Sequence, residues 1–257
     1  MRRLPFYRVM SSLPDNRIAI CRRVISGMHA LYRSFLDLLY PPLCIHCRSP
    51  LHPESNILCT PCLELLELIS IGERCRYCFS PLPCSACRFS ERPFVGLAAA
   101  LAYMGPAQSM IRLLKYGGQS CLSRAMAPYL ALQFLRLRWP IPDAVIPMPV
   151  SFMHRLERGY NQSALLAEEL ALLLDVPCVY PLKRKSGDYS QTGLAYRERI
   201  RLSRSSFSVR RKELVFGKSL LLVDDVMTTS TTMRCAAESL SEELPRALYG
   251  ITFASAQ

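Results

Sequence analysis

The stretch LLLVDDVMTTSTT, residues 220–232, decides the fold. Four apolar residues, Leu220 to Val223, lead into two adjacent carboxylates, Asp224 and Asp225. A short, continuous apolar run of this kind reads as a strand of a parallel sheet buried on both faces. The residues that follow, Thr228, Thr229, Ser230, Thr231 and Thr232, are small and carry hydroxyls. A helical pattern then runs from Met233 to Leu244. Two acids therefore stand at the carboxyl end of a strand, with a helix N-terminus a few residues on. That end of a parallel sheet is where α/β proteins bind ligands. Free N–H groups and the positive end of a helix dipole suit an anion there.

Adjacent carboxylates can accept hydrogen bonds from two neighbouring hydroxyls of a sugar. Diol acceptors beside a phosphate cradle fit a ribose 5-phosphate.

Outward from this motif, strands and helices alternate. Strands are predicted at Val95–Met104, Asp143–Pro149 (DAVIPMP), Pro177–Leu182, Ser219–Val226 and Ala247–Ala254. Helices are predicted at Pro106–Lys115, closed by Gly117 and Gly118, at Ser120–Leu137, and at Gln162–Leu174 with Asn161 as N-cap. Alternation of this kind gives a parallel, doubly wound sheet flanked by helices. Residues 186–207 are polar, arginine-rich and without period, so they read as a long loop, of the kind that is functional or disordered.

The chain has 257 residues and a formal net charge of +12, enough for one α/β domain and a small module. The basic excess is uneven. Residues 1–34 hold seven arginines against one acid, Asp15, and a second basic stretch runs from Lys183 to Lys212. Such patches point to polyanions, either nucleic acid or phosphorylated small molecules, or else to a solvated basic face. Residues 1–34 read either as an arm that binds a polyanion or as sequence upstream of the true start, at Met10 or Met28. No uninterrupted apolar core of a secretion signal is found there. The apolar run at Val95–Met104 is too short to cross a bilayer, so no membrane insertion is expected.

Of twelve cysteines, eight form C-x2-C pairs: Cys44 and Cys47, Cys59 and Cys62, Cys75 and Cys78, Cys84 and Cys87. Two thiolates at this spacing reach one tetrahedral metal from a tight turn, so the eight are expected to hold structural zinc. Thiols kept for metal suggest a reducing, cytoplasmic compartment. Pairing of neighbours gives one site from Cys44, Cys47, Cys59 and Cys62 and another from the remaining four. An interleaved arrangement, with Cys44 and Cys47 joined to Cys75 and Cys78, is the rival. His46 and His52 read as bystanders.

The segment VDDVMTTSTT resembles the phosphoribosyl diphosphate motif of the type I phosphoribosyltransferases. With FLDLLYPPLCIHC (35–47), IRLLKYGG (111–118), RGYNQS (158–163) and SQTGLAYRERIRLSRSSF (190–207), the chain is similar to the competence protein F (ComF) family from residue 35 to residue 254. The resemblance implies residues 35–92 as a zinc-binding module and residues 93–257 as a phosphoribosyltransferase-like domain. It implies Asp224 and Asp225 as the catalytic pair, holding the ribose 2- and 3-hydroxyls, and Thr228, Thr229, Ser230, Thr231 and Thr232 as the 5-phosphate loop. The loop after DAVIPMP would hold pyrophosphate with Arg155 and Arg158, and residues 186–204, with Gln191, Arg197, Arg199 and Arg201, would close over the ligand. Mg²⁺ would accompany phosphoribosyl diphosphate (PRPP). The chain departs from the family pattern at Leu202, often Asn, and at Ser230, usually Gly. Lys115 is expected to complement the dipole of its helix, with reach into the site as the alternative. The implied reaction displaces pyrophosphate from PRPP toward an acceptor that no segment identifies. The family's association with DNA uptake implies single-stranded DNA and the uptake machinery, a competence helicase included, as partners. The alternatives are a non-catalytic protein that handles single-stranded DNA on the same fold, and a scaffold, which leaves the acid pair unexplained.

Overall fold

The computed structural model describes residues 41–52, 57–84, 87, 92–185 and 206–256. The chain divides into two compact units, Met1–Thr60 and Pro61–Gln257. Arg197, Arg199, Gln191, Arg201 and Leu202 lie outside the described residues.

In the second unit a short helix, α1 (Thr60–Glu64, which starts at the last residue of the first unit), precedes the sheet. There follow β1 (Gly96–Ala102), α2 (Gly105–Tyr116), α3 (Leu122–Arg136), β2 (Ala144–Pro147), α4 (Phe152–Arg158) and α5 (Gln162–Leu174). The chain continues through β3 (Leu182–Arg184), β4 (Phe207–Val209), β5 (Ser219–Met227), α6 (Thr231–Ser241) and β6 (Ala247–Ser255). The main sheet has the order β1-β6-β5-β2 and is parallel throughout. Residues β3 and β4 form a separate antiparallel pair.

The hydrophobic run of β5 follows from burial on both faces. Leu220 and Leu222 pack in one core cluster with Met233, Ala236 and Leu240 of α6. Leu221 and Val223 are equally buried, and α5 packs on β2 and β5. Outside β2 the sheet is extended by one parallel bridge, Val145 to Cys178, rather than by the predicted strand over 177–182. Val145 N–H donates to Pro177 O and Val179 N–H to Val145 O, both at 2.9 Å. Past Pro181 the chain leaves the sheet to pair with β4, which is why the apolar run yields one bridge and not a full strand.

This topology opens the site. From β2 the chain moves outward to the bridge at Cys178, while from β5 it crosses to β6 on the other side. Connections that diverge from two adjacent parallel strands leave a crevice at their carboxyl ends. The other edge of the sheet is covered: Leu68 bridges Leu101 of β1, and the buried Gln133 amide donates to the carbonyls of Ile69 and Ala99. Covering an edge in this way removes a template for unwanted strand pairing. Among the described residues no helix is long and apolar enough to cross a membrane.

Candidate functional site

The crevice between the β2 and β5 ends is a cleft of about 230 Å³, lined by the loop after β2, the acid pair and the whole of residues 226–233. Asp224 and Asp225 stand where the sequence placed them, at the end of β5. An Asp224 carboxylate oxygen accepts from the Ser163 hydroxyl at 2.7 Å and from the Asp225 N–H at 2.9 Å. Asp225 is buried and meets the Lys115 ammonium at 3.0 Å through one oxygen, and its other oxygen has no partner. Burial pushes the Asp224 carboxyl up to about 7, the neighbouring Asp225 charge adds to this, and the Ser163 hydrogen bond opposes it. A group poised near neutrality in a cleft is a mark of a functional site.

The loop after β5 reaches α6 through Ser230, which adopts a left-handed conformation at φ 55. For a residue with a Cβ this conformation costs about 1–2 kcal/mol. Ser230 is buried and makes no side-chain cap to α6. Thr229 donates its hydroxyl to that of Thr231 at 3.1 Å. Thr228, Thr229, Ser230, Thr231 and Thr232 all line the cleft, so α6 presents its N-terminus to it.

The RGYNQS segment ties three walls together. The Tyr160 hydroxyl donates to Leu114 O at 2.6 Å, holding the last turn of α2, where Lys115 sits. The Asn161 amide donates to Met148 O at 2.9 Å, and its oxygen caps α5 by accepting from the Ser163 N–H at 3.0 Å. Ser163 then reaches Asp224. Arg158 lines the cleft and lies over the Tyr116 ring at 5.3 Å. Arg155 is exposed and is not among the lining residues. His154 and Arg158, one helical turn apart, share the face of α4 that borders the cleft. Lys115 reaches the site instead of serving the helix end alone, because the register of α2 brings it to Asp225. Gln162 and Arg184 also line the cleft. Sequence reading missed both: Gln162 was visible in RGYNQ, but Arg184 comes from a β3 strand the sequence did not signal.

The cysteines fall into the two neighbour quartets. The sulfurs of Cys44, Cys47, Cys59 and Cys62 lie within 4.8 Å of one another, as do those of Cys75, Cys78, Cys84 and Cys87. The interleaved scheme is not what the chain adopts, and neither histidine belongs to a quartet. Sulfur separations are 3.5 Å for Cys47–Cys59, 3.8 Å for Cys75–Cys87 and 3.5 Å for Cys78–Cys84. Four thiolates about 2.3 Å from a tetrahedral ion stand about 3.8 Å apart, so the donor sets fit such a metal. The two sites also share a repeated knuckle, CIHCRSPL at 44–51 and CRYCFSPL at 75–82. In each, the first cysteine's carbonyl accepts from the residue four later, Arg48 at 3.0 Å and Phe79 at 2.8 Å. Both of those residues are left-handed, and β-bridges Leu43–Pro50 and Arg74–Pro81 close the turns. The second knuckle is anchored to the sheet, since Leu97 N–H of β1 donates to Arg76 O at 2.8 Å.

A parallel sheet with an acid pair and a hydroxyl-rich loop at one strand end is the arrangement of the type I phosphoribosyltransferase fold, and residues 160–254 match the family described as phosphoribosyl transferase domain. The chain is 31% identical over 202 residues to competence protein F of Haemophilus influenzae, covering 74% of this chain and 86% of that one. It is 30% identical over 217 residues to DNA utilization protein YhgH of Salmonella typhi, covering 79% and 92%. Competence protein ComFC of Bacillus subtilis is 26% identical over 210 residues, covering 81% and 82%. The chain belongs to the competence protein F family.

Proposed function

We propose that the cleft binds PRPP with Mg²⁺ and that the chain transfers the phosphoribosyl group to an acceptor, releasing pyrophosphate. The observation that carries this reading is the acid pair itself: Asp224 and Asp225 stand beside a helix N-terminus, with one buried Asp225 oxygen left without a partner. A ribose diol supplies the hydroxyl donors that such an oxygen requires. The open N-terminus of α6 and the hydroxyls of Thr228 to Thr232 suit the 5-phosphate. Arg158 suits the diphosphate, where guanidinium geometry allows paired hydrogen bonds. Residues 186–204, with Arg197 and Arg199, would close over the ligand, and Arg155 would act at the outer rim.

In this reading the chain's own groups do most of the chemistry by placement. Asp224 and Asp225 fix the ribose, Arg158 holds the departing diphosphate, and charge developing at the anomeric carbon lies near the acid pair. Mg²⁺ bound together with PRPP, whose hard oxygen atoms suit it, would supply neutralisation of the diphosphate charge beside Arg158. The two cysteine quartets hold structural zinc, a reading supported by their all-thiolate donor sets, which leave no open coordination position. Thiols kept for metal support a cytoplasmic location.

The relatives named for competence and DNA utilization support a place in DNA uptake, with single-stranded DNA and uptake proteins such as a helicase as partners. The same names and the +12 charge support a second reading, a DNA-handling protein that keeps the fold without catalysis. Calorimetric titration with PRPP and Mg²⁺, run beside fluorescence anisotropy with a labelled single strand across a salt series, separates them. PRPP binding together with pyrophosphate release in the presence of a nucleophile supports the enzyme. Salt-sensitive DNA binding with no PRPP binding supports the second reading.

A further inference from the structure

Five side-chain polar atoms among the described residues are buried without a hydrogen-bond partner, and four belong to residues lining one cleft. They are Arg158 Nε, Arg184 Nε, Gln162 Oε1 and Asp225 Oδ2. Buried polar groups are as a rule paired, so a cluster of unpaired ones around a cavity describes what the cavity is built to receive. The four divide by chemistry. The two arginine nitrogens are donors and need acceptors, while the amide and carboxylate oxygens are acceptors and need donors. An ionised diphosphate offers acceptors only, so it can satisfy Arg158 and Arg184 but neither oxygen. Hydroxyl groups satisfy the oxygens.

We infer that Gln162 and Arg184 are two further ligand-contacting residues, Gln162 accepting a hydrogen bond from a ribose hydroxyl beside Asp225 and Arg184 donating to the diphosphate opposite Arg158. The inference rests on the PRPP reading of the same cleft. Gln162 is 4% exposed, so its amide meets little besides the protein and the cleft. It is the first residue of α5, fixed between the Asn161 cap and Ser163, whose hydroxyl binds Asp224. Its side chain therefore enters from the wall that also orients the acid pair. Arg184 comes from β3, and its guanidinium lies over the Phe207 ring of β4 at 6.0 Å. Arg158 comes from α4. Two guanidinium groups on separate elements can grip a diphosphate from two sides, which one arginine cannot do.

The two assignments make opposite demands on fragments of PRPP, and this supplies the test. Wild type, Gln162→Leu and Arg184→Met are titrated calorimetrically, each in Mg²⁺, with PRPP, ribose 5-phosphate and inorganic pyrophosphate. Gln162→Leu is expected to weaken PRPP and ribose 5-phosphate by about tenfold and to leave pyrophosphate unchanged. Arg184→Met is expected to weaken PRPP and pyrophosphate by about tenfold or more and to leave ribose 5-phosphate unchanged. The retained fragment in each case shows that the variant is folded. Wild-type PRPP binding matched by either variant overturns the inference alone. Uniform weakening of all three probes also overturns it, since that marks support of the fold and not contact with one end. No PRPP binding by wild type overturns the parent reading, and this inference with it.

Discussion

The Lys115 ammonium lies 3.0 Å from a carboxylate oxygen of Asp225, joining the last turn of α2 to the carboxyl end of β5. The pair is poorly exposed, the Asp225 side chain at 5% and Lys115 at 20%. Removing one partner of a buried pair leaves an uncompensated charge, here beside a second acid. Lys115→Met is expected to destabilise the fold by about 3 kcal/mol, and Lys115→Met with Asp225→Asn to recover most of that loss. Urea unfolding of the two variants checks this, and equal stability of both would show that the pair is not coupled.

Asp224 gives the fold a dependence on pH. Its folded value is raised to about 7, above the ordinary value of 3.8, chiefly by burial and by Asp225. The protonated form is therefore the better tolerated in the folded state. Its contribution is fully present below pH 4 and is lost as pH rises through 7. Wild type is expected to lose on the order of 2–4 kcal/mol across that window relative to Asp224→Asn, which keeps an oxygen to accept from Ser163 but cannot ionise. Denaturant midpoints measured from pH 4 to pH 8 test the difference between the two proteins.

Ser230 carries backbone strain in the loop between β5 and α6, with φ 55. Ser230→Gly relieves it at a position whose side chain caps nothing. A gain of about 0.5–1 kcal/mol is expected by thermal unfolding. A loss of stability would mean that the buried hydroxyl contributes more than the strain costs.

The second cysteine quartet supports the start of β1 through the Leu97 to Arg76 hydrogen bond. Two metal ions per chain are expected by elemental analysis, one for each quartet. Chelation, or Cys75→Ser, is expected to speed hydrogen exchange at the Leu97 amide while the amides of β5 stay protected. Unchanged exchange at Leu97 on metal removal would separate the quartet from the sheet.

What the sequence disclosed followed from local rules. The helix over 162–174, its Asn161 cap and the strand over 219–226 were legible because periodicity, capping and apolar runs are local, and the strand proved one residue longer at Met227. The choice between two cysteine arrangements was not, since spacing alone permits both. Lys115 and Arg184 reach the cleft through the packing of α2 and of the β3–β4 pair, which no local pattern encodes. Arg155 and Arg158 look equivalent in sequence, yet only Arg158 turns to the cleft, because α4 presents the face it shares with His154.

The most direct test of the whole account is a titration of PRPP with Mg²⁺ into wild type and into the double variant Asp224→Asn, Asp225→Asn. The acids are each expected to contribute charge-assisted hydrogen bonds of about 1.5–3 kcal/mol to the ribose, so the double variant should bind at least a hundredfold more weakly. Equal affinity in the two proteins would contradict the account.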